Sequence, residues 1–110
     1  MTRDLKLIVY PAKDLDATKK LYGTFLGVEP YADSSYCVGY KLNNLEIGLD
    51  PNSQEKVSYI EVADIKNYIQ TLVEAGATLH KDANDVGGGM LIAQVKDANG
   101  TILGLRQLPS

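Results

Sequence analysis

The chain has 110 residues, 45% of them hydrophobic and 23% charged, with a formal net charge of −3 and a pI near 5.0. That length suits one domain, and the acidic balance excludes the broad basic field with which a nucleic-acid binder works. A single cysteine, Cys37, excludes an internal disulfide and suits a reducing cytoplasm, and no apolar run approaches the roughly 18 residues of a membrane span.

Taken in chain order, the first apolar stretch is too short for a signal peptide and lacks a small-residue cleavage site. Leu5–Tyr10 (LKLIVY) is β-branched and aromatic, and Pro11 stops it, so a strand is predicted. Asp14 is placed to cap a helix whose apolar positions Leu15, Thr18, Leu21, Tyr22, Phe25 and Leu26 recur at helical spacing, with Gly27 at its end. Tyr36–Leu42 and Leu45–Asp50 form a hairpin across Asn43-Asn44, followed by a turn at Pro51-Asn52-Ser53.

The second half repeats the plan. Lys56–Val62 reads as a strand, Asp64 as a cap, and Ile65, Tyr68, Ile69, Leu72 and Val73 as a helical stripe closed by Gly76. A short strand at Ala77–His80, the Gly87–Gly89 loop, a strand at Leu91–Lys96, the Asn99-Gly100 turn and a strand at Thr101–Gln107 complete it. The order strand, helix, three strands thus occurs twice, at a period of about 50–56 residues. Two copies are too few for a solenoid and point to paired sheets. The expected class is α+β: a single domain over 1–110 made of two βαβββ modules, about 4–53 and 56–108, around a curled mixed sheet.

Alternation along the strands sorts the side chains into two faces. Ile8, Tyr10, Leu45, Ile47, Leu49, Ile60, Val62, Leu103 and Leu105 are almost wholly apolar and belong under the helices. The opposite set holds Leu5, Leu7 and Val9, then Glu46, Gly48 and Asp50, then Val57, Tyr59 and Glu61, then Ile102, Gly104 and Arg106. An apolar floor with three carboxylates and one guanidinium reads as a cleft with directing polar groups. The near-repeat NNLEIGL (43–49) and NGTILGL (99–105) sets a glycine in each of two such strands, where it gives up packing. The glycines are therefore expected to leave volume in the cleft; the plainer alternative is a pair of bulges on a wet face.

Four phrases in this order carry a family resemblance: KDLDATKKLYGTFLGVEPY (13–31), VGYKLNNLEIGLDP (38–51), VADIKNYIQTLVEAGATL (62–79) and DVGGGMLIAQVKDANGTILGLRQ (85–107). Together they resemble the glyoxalase/bleomycin resistance/dioxygenase superfamily, the vicinal oxygen chelate proteins, over nearly the whole chain. The resemblance implies paired modules whose sheets curl around a cleft, with pairing within one chain or across a dimer left open, and a homodimer is expected because single module pairs of this family commonly dimerise. In the metal-dependent enzymes of that family, an inward position on the first and last strand of each module supplies a His, Gln or Glu ligand. Here those positions are Leu7, Gly48, Val57 and Gly104, and none has a side chain that coordinates a divalent cation. The expectation is the metal-free, small-molecule-binding branch, with no cofactor and no catalytic residue assigned.

The remaining candidates are weighed by chemistry. His80 and Cys37 are the only residues of their types, too few for a zinc or iron site of three or four convergent ligands, and each has a plain reading, surface histidine and small buried residue. Gly87-Gly88-Gly89 is no phosphate loop, since no Lys-Ser/Thr follows; it reads as a loop at the cleft mouth. Seven tyrosines against one Phe and no Trp suit stacking on a planar ligand. Tyr22 and Tyr68 fall on helical stripes and read as core, while Tyr31, Tyr36, Tyr40 and Tyr59 lie on or beside the cleft strands. The expected ligand-binding set is Tyr36, Tyr40, Glu46, Asp50, Tyr59, Glu61, Met90 and Arg106, with Arg106 pairing an anionic group. The alternatives are a metal-independent lyase or isomerase of the same fold with Glu61 or Glu46 as base, and a ligand-free dimeric accessory domain.

Overall fold

A computed structural model describes residues 3–110. Its elements are β1 (Asp4–Pro11), α1 (Leu15–Leu26), β2 (Ala32–Asp33), β3 (Val38–Lys41), β4 (Glu46–Asp50), β5 (Val57–Glu61), α2 (Ile65–Glu74), β6 (Thr78–Asp85), β7 (Leu91–Lys96) and β8 (Ile102–Gln107). The class is α+β, with βαβββ written twice. The chain divides into two compact units: an N-terminal unit, Lys6–Val57, and a C-terminal unit, Ser58–Ser110 with the described residues up to Leu5. No helix among the described residues is long and apolar enough to cross a membrane.

In the N-terminal unit the strand order is β2-β3-β4-β1, with β1 parallel to β4 and the other pairs antiparallel. Asp14 starts α1 as expected, its carboxylate accepting from the Ala17 amide at 3.1 Å, and Gly27 ends it in the left-handed conformation at φ 73°. One face of the sheet packs beneath this helix: Val38, Tyr40, Ile47 and Leu49 are buried with Ala12, and Tyr22 and Leu26 close over them. Each buried aliphatic side chain there stabilises the fold by about 1.5–3 kcal/mol.

The C-terminal unit repeats the arrangement as β5-β8-β7-β6, with β5 parallel to β8. Asp64 caps α2 through the Asn67 amide at 3.1 Å, and Ile65 and Ile69 pack on Val62, Ala93 and Leu105. Sequence reading ends β6 at His80, whereas the strand continues to Asp85 through two register shifts against β7. The triglycine run is the turn of this β6–β7 hairpin. The Asp85 carboxylate accepts from the Gly87 amide at 2.7 Å and the Gly89 amide at 3.3 Å, and the Met90 carbonyl accepts from the Val86 amide.

Candidate functional site

On the face turned away from α2, three neighbouring strands of the C-terminal unit place Tyr59, Gly104 and Gln94 in one row, since Tyr59 pairs with Gly104 and Gly104 with Gln94. The Tyr59 hydroxyl accepts from the Gln94 carboxamide at 2.7 Å across the glycine. A Cβ on Gly104 would stand 2.3 Å from Tyr59 Cδ2 and 2.6 Å from its Cγ. The expectation that this glycine leaves open volume is therefore corrected: the Tyr59 ring takes the space. Tyr59 and Gln94 are both buried, and the Gln94 carboxamide oxygen has no hydrogen-bond partner.

The next row along the same face holds Glu61, Arg106 and Ile92. Arg106 donates through Nη2 at 2.8 Å and Nε at 3.2 Å to the same carboxylate oxygen of Glu61. Arg106 is only 4% exposed, so this is a largely desolvated, charge-assisted pair rather than a surface contact. Beside it opens a groove of about 360 Å³ lined by Arg3, Asp4, Glu61, Asp64, Asn67 and Tyr68, in which the Arg3 guanidinium lies 4.8 Å from the centre of the Tyr68 ring.

The equivalent face of the N-terminal unit is built from different side chains. Val9, Gly48 and Gly39 form the corresponding row. A Cβ on Gly48 would meet Val9 and Leu7 at 3.6 and 3.7 Å, ordinary contact distances. The Tyr31 ring covers Gly39 instead, its hydroxyl donates to Glu46 Oε1 at 2.7 Å, and the Lys41 ammonium sits 4.5 Å from the ring centre.

Of the residues expected at a ligand, Tyr59, Glu61 and Arg106 are thus brought together. Glu46 belongs to the N-terminal unit, where it accepts from the Tyr31 hydroxyl. The β3–β4 register corrects the placing of Tyr40: it pairs with Ile47 beneath α1, fully buried, and its hydroxyl donates to the Lys19 carbonyl at 2.9 Å. Burial pushes its phenol above the ordinary value, with Asp33 adding to the rise. Tyr36 is exposed in the turn before β3, and Asp50 accepts from the Asn52 amide at 2.8 Å at the end of β4. Met90 stands half-buried at the β6–β7 hairpin. Cys37, expected to be buried, is exposed in a tight turn in which Ser34 Oγ accepts from its amide at 3.3 Å. Sequence reasoning missed Gln94. The signal was one polar residue inside LIAQVK, at the parity that faces away from Ala93 and Val95.

In the N-terminal unit a groove of about 550 Å³ lies between the C-terminal half of α1 and the segment before β2. Its lining includes the exposed Lys19–Asp33 ion pair at 3.1 Å, and no buried polar group converges on it.

No protein-family model and no curated protein sequence matches the chain. Solved structures do. A hypothetical protein from Bacillus halodurans C-125 superposes with a TM-score of 0.83 at 15% identity, over 100% of this chain and 97% of the other. A glyoxalase/bleomycin resistance protein/dioxygenase superfamily member from Vibrio splendidus 12B01 gives 0.72 at 15% identity, over 97% and 100%. The chain has the glyoxalase/bleomycin resistance fold. Methylmalonyl-CoA epimerase from Streptomyces coelicolor, solved with 2-nitronate-propionyl-CoA, has the same fold, with a TM-score of 0.73 at 16% identity over 100% and 99%. Some proteins of this fold are metal enzymes, which raises the question of fit. The four positions at which the resemblance leads one to expect metal ligands, Leu7, Gly48, Val57 and Gly104, carry no donor side chain, and the Tyr59 ring fills the space over Gly104. No group of three or more His, Cys, Asp or Glu side chains meets among the described residues. The donor set does not fit a catalytic divalent ion.

Proposed function

We propose that the chain binds a small organic acid, aromatic in character, without a metal ion, against the face of the C-terminal unit that carries Tyr59, Gln94 and Arg106. The observation that carries this reading is the buried Arg106. A desolvated guanidinium is costly to keep in a fold, and one whose adjoining row on the same face carries a tyrosine and an unsatisfied carboxamide is suited to recognition. The guanidinium offers five donors in a planar fork, and Glu61 Oε1 engages it through Nε and Nη2. A guanidinium and a ligand carboxylate are complementary in charge and shape, and a tyrosine in the adjoining row suits an aromatic ligand. The Streptomyces coelicolor protein of this fold, solved in complex with 2-nitronate-propionyl-CoA, supports organic-ligand binding as a use of the scaffold.

The alternative of a metal-independent enzyme with Glu61 as base is disfavoured by geometry, since Glu61 Oε1 already accepts two bonds from Arg106. The test is a thermal-shift and calorimetric screen of aromatic carboxylates in the presence of a chelator. Saturable stabilisation that survives the chelator and is lost with Arg106→Met supports the reading. Binding that appears only when a divalent cation is added would refute it.

A further inference from the structure

We infer that Asn99 is a modification site: its carboxamide converts, without an enzyme, to a carboxylate through a succinimide closed on the Gly100 amide. The turn built around Asp97 sets how slowly this happens, and the chemistry is independent of ligand binding. Asn99-Gly100 lies in the connection between β7 and β8, and the binding face leaves it unused. Asparagine is among the thermolabile residues, and of the six in this chain Asn99 alone is followed by glycine. Glycine has no Cβ to crowd its nitrogen, so that nitrogen meets least hindrance in reaching the neighbouring carboxamide carbon. Asn99 and Gly100 are both exposed, which gives water access to the reacting atoms.

Water is the only co-reactant. The Gly100 nitrogen bonds to Asn99 Cγ and gives up its proton, and the carboxamide nitrogen leaves as ammonia. Water then opens the cyclic imide at one carbonyl or the other, giving aspartate or isoaspartate. The first step needs the Gly100 N–H out of its hydrogen bond, and the fold holds it in one: it donates to the Asp97 carbonyl at 3.0 Å, with Gly100 at φ 83°. The Asp97 carboxylate accepts from the Asn99 amide at 2.8 Å and the Thr101 amide at 2.9 Å, which pins the backbone on both sides of the attacking nitrogen. Asp97 is thus a positioning residue that restrains the reaction, and hydrogen bonds of this kind are worth up to about tenfold in rate. The product strikes the fold directly. It sets a second carboxylate near Asp97, and isoaspartate adds a methylene to the main chain just ahead of the Lys96–Ile102 pair of the β7–β8 ladder.

The test is to age the full chain in warm neutral buffer, folded and unfolded in guanidinium chloride, and to map its peptides by mass spectrometry over time. The Asn99 peptide is expected to gain the mass of an amide-to-acid change before the peptides that hold Asn43, Asn44, Asn52, Asn67 and Asn84. Conversion in the unfolded chain should run several-fold faster, up to about tenfold. Asp97→Ala should carry the folded rate most of the way to the unfolded one. The folded-against-unfolded comparison uses the wild-type chain, so it decides the matter even if the variant folds poorly. Conversion of another asparagine first, equal rates in the folded and unfolded chains, or a folded Asp97→Ala that converts at the wild-type rate would overturn the inference.

Discussion

The two units write nearly the same phrase and use it differently. NNLEIGL and NGTILGL place Gly48 and Gly104 at matching points of β4 and β8, each paired with the first strand of its own unit, to Val9 and to Tyr59 respectively. In the N-terminal unit the partner is small, and a methyl group on the glycine would make ordinary contacts. In the C-terminal unit the partner is a ring that lies on the glycine and reaches across it to Gln94. One glycine is tolerated and the other is required. The contrast extends to the flanking row, where the first unit has a half-buried Asp50 at the position that corresponds in sequence to the buried, ion-paired Arg106 of the second. A repeated motif therefore marks repeated backbone, not repeated chemistry; the chemistry lies in what sits across the strand.

Ion pairs give the largest expected difference. Arg106→Ala leaves Glu61 without its partner, and because that carboxylate side chain keeps 23% exposure the loss belongs at the low end for a buried pair, about 3 kcal/mol in urea denaturation. Replacing both partners, Arg106→Met with Glu61→Leu, should recover most of it. Lys19→Met, which breaks the exposed pair with Asp33, should change stability by less than about 0.5 kcal/mol. Comparable losses at the two sites would erase the distinction between the units.

The glycines come next. Gly104→Ala must push the Tyr59 ring aside and is expected to cost about 1–3 kcal/mol. Gly48→Ala should be neutral or stabilise by up to about 1 kcal/mol. In a Tyr59→Ala background the cost of Gly104→Ala should fall sharply, and a double-mutant cycle measures the coupling. Additivity of the two changes would show that the ring is not what excludes the methyl group.

Much of this fold was legible beforehand, for physical reasons that differ by element. Asp14 and Asp64 announced both helices because a carboxylate before an apolar stripe has one obvious task, satisfying the first amides, and both perform it. β7 and most of β8 followed from alternation. Tyr40 did not, because assigning a face needs the register, and the β3–β4 register sets Tyr40 beside Ile47 in the core under α1. β2, two residues long, has no periodicity to read. Glu61 and Arg106 could be placed on one face from sequence, whereas the covering of Gly104 by Tyr59 depends on a rotamer, and the open oxygen of Gln94 depends on where its partner stands.

Two smaller effects sharpen the comparison at its edges. Tyr31→Phe removes the hydroxyl that bonds Glu46, and at so exposed a site should cost about 0.5 kcal/mol by thermal unfolding. In the other unit, Asp97 accepts from the amides of Asn99 at 2.8 Å and Thr101 at 2.9 Å, and these bonds hold its carboxyl below the usual carboxylate range. A depressed folded-state pKa stabilises above the unfolded value, and that contribution disappears as pH falls through the folded one. The stability advantage of the wild type over Asp97→Asn should therefore be full at neutral pH and shrink only in the acid range below about pH 4.

The most direct test of the whole reading is an amide NMR titration of the chelator-treated protein with benzoate. Saturable shifts centred on β5, β7 and β8 around Tyr59, Gln94 and Arg106 are predicted. Shifts that gather elsewhere, or that require an added divalent cation, would contradict it.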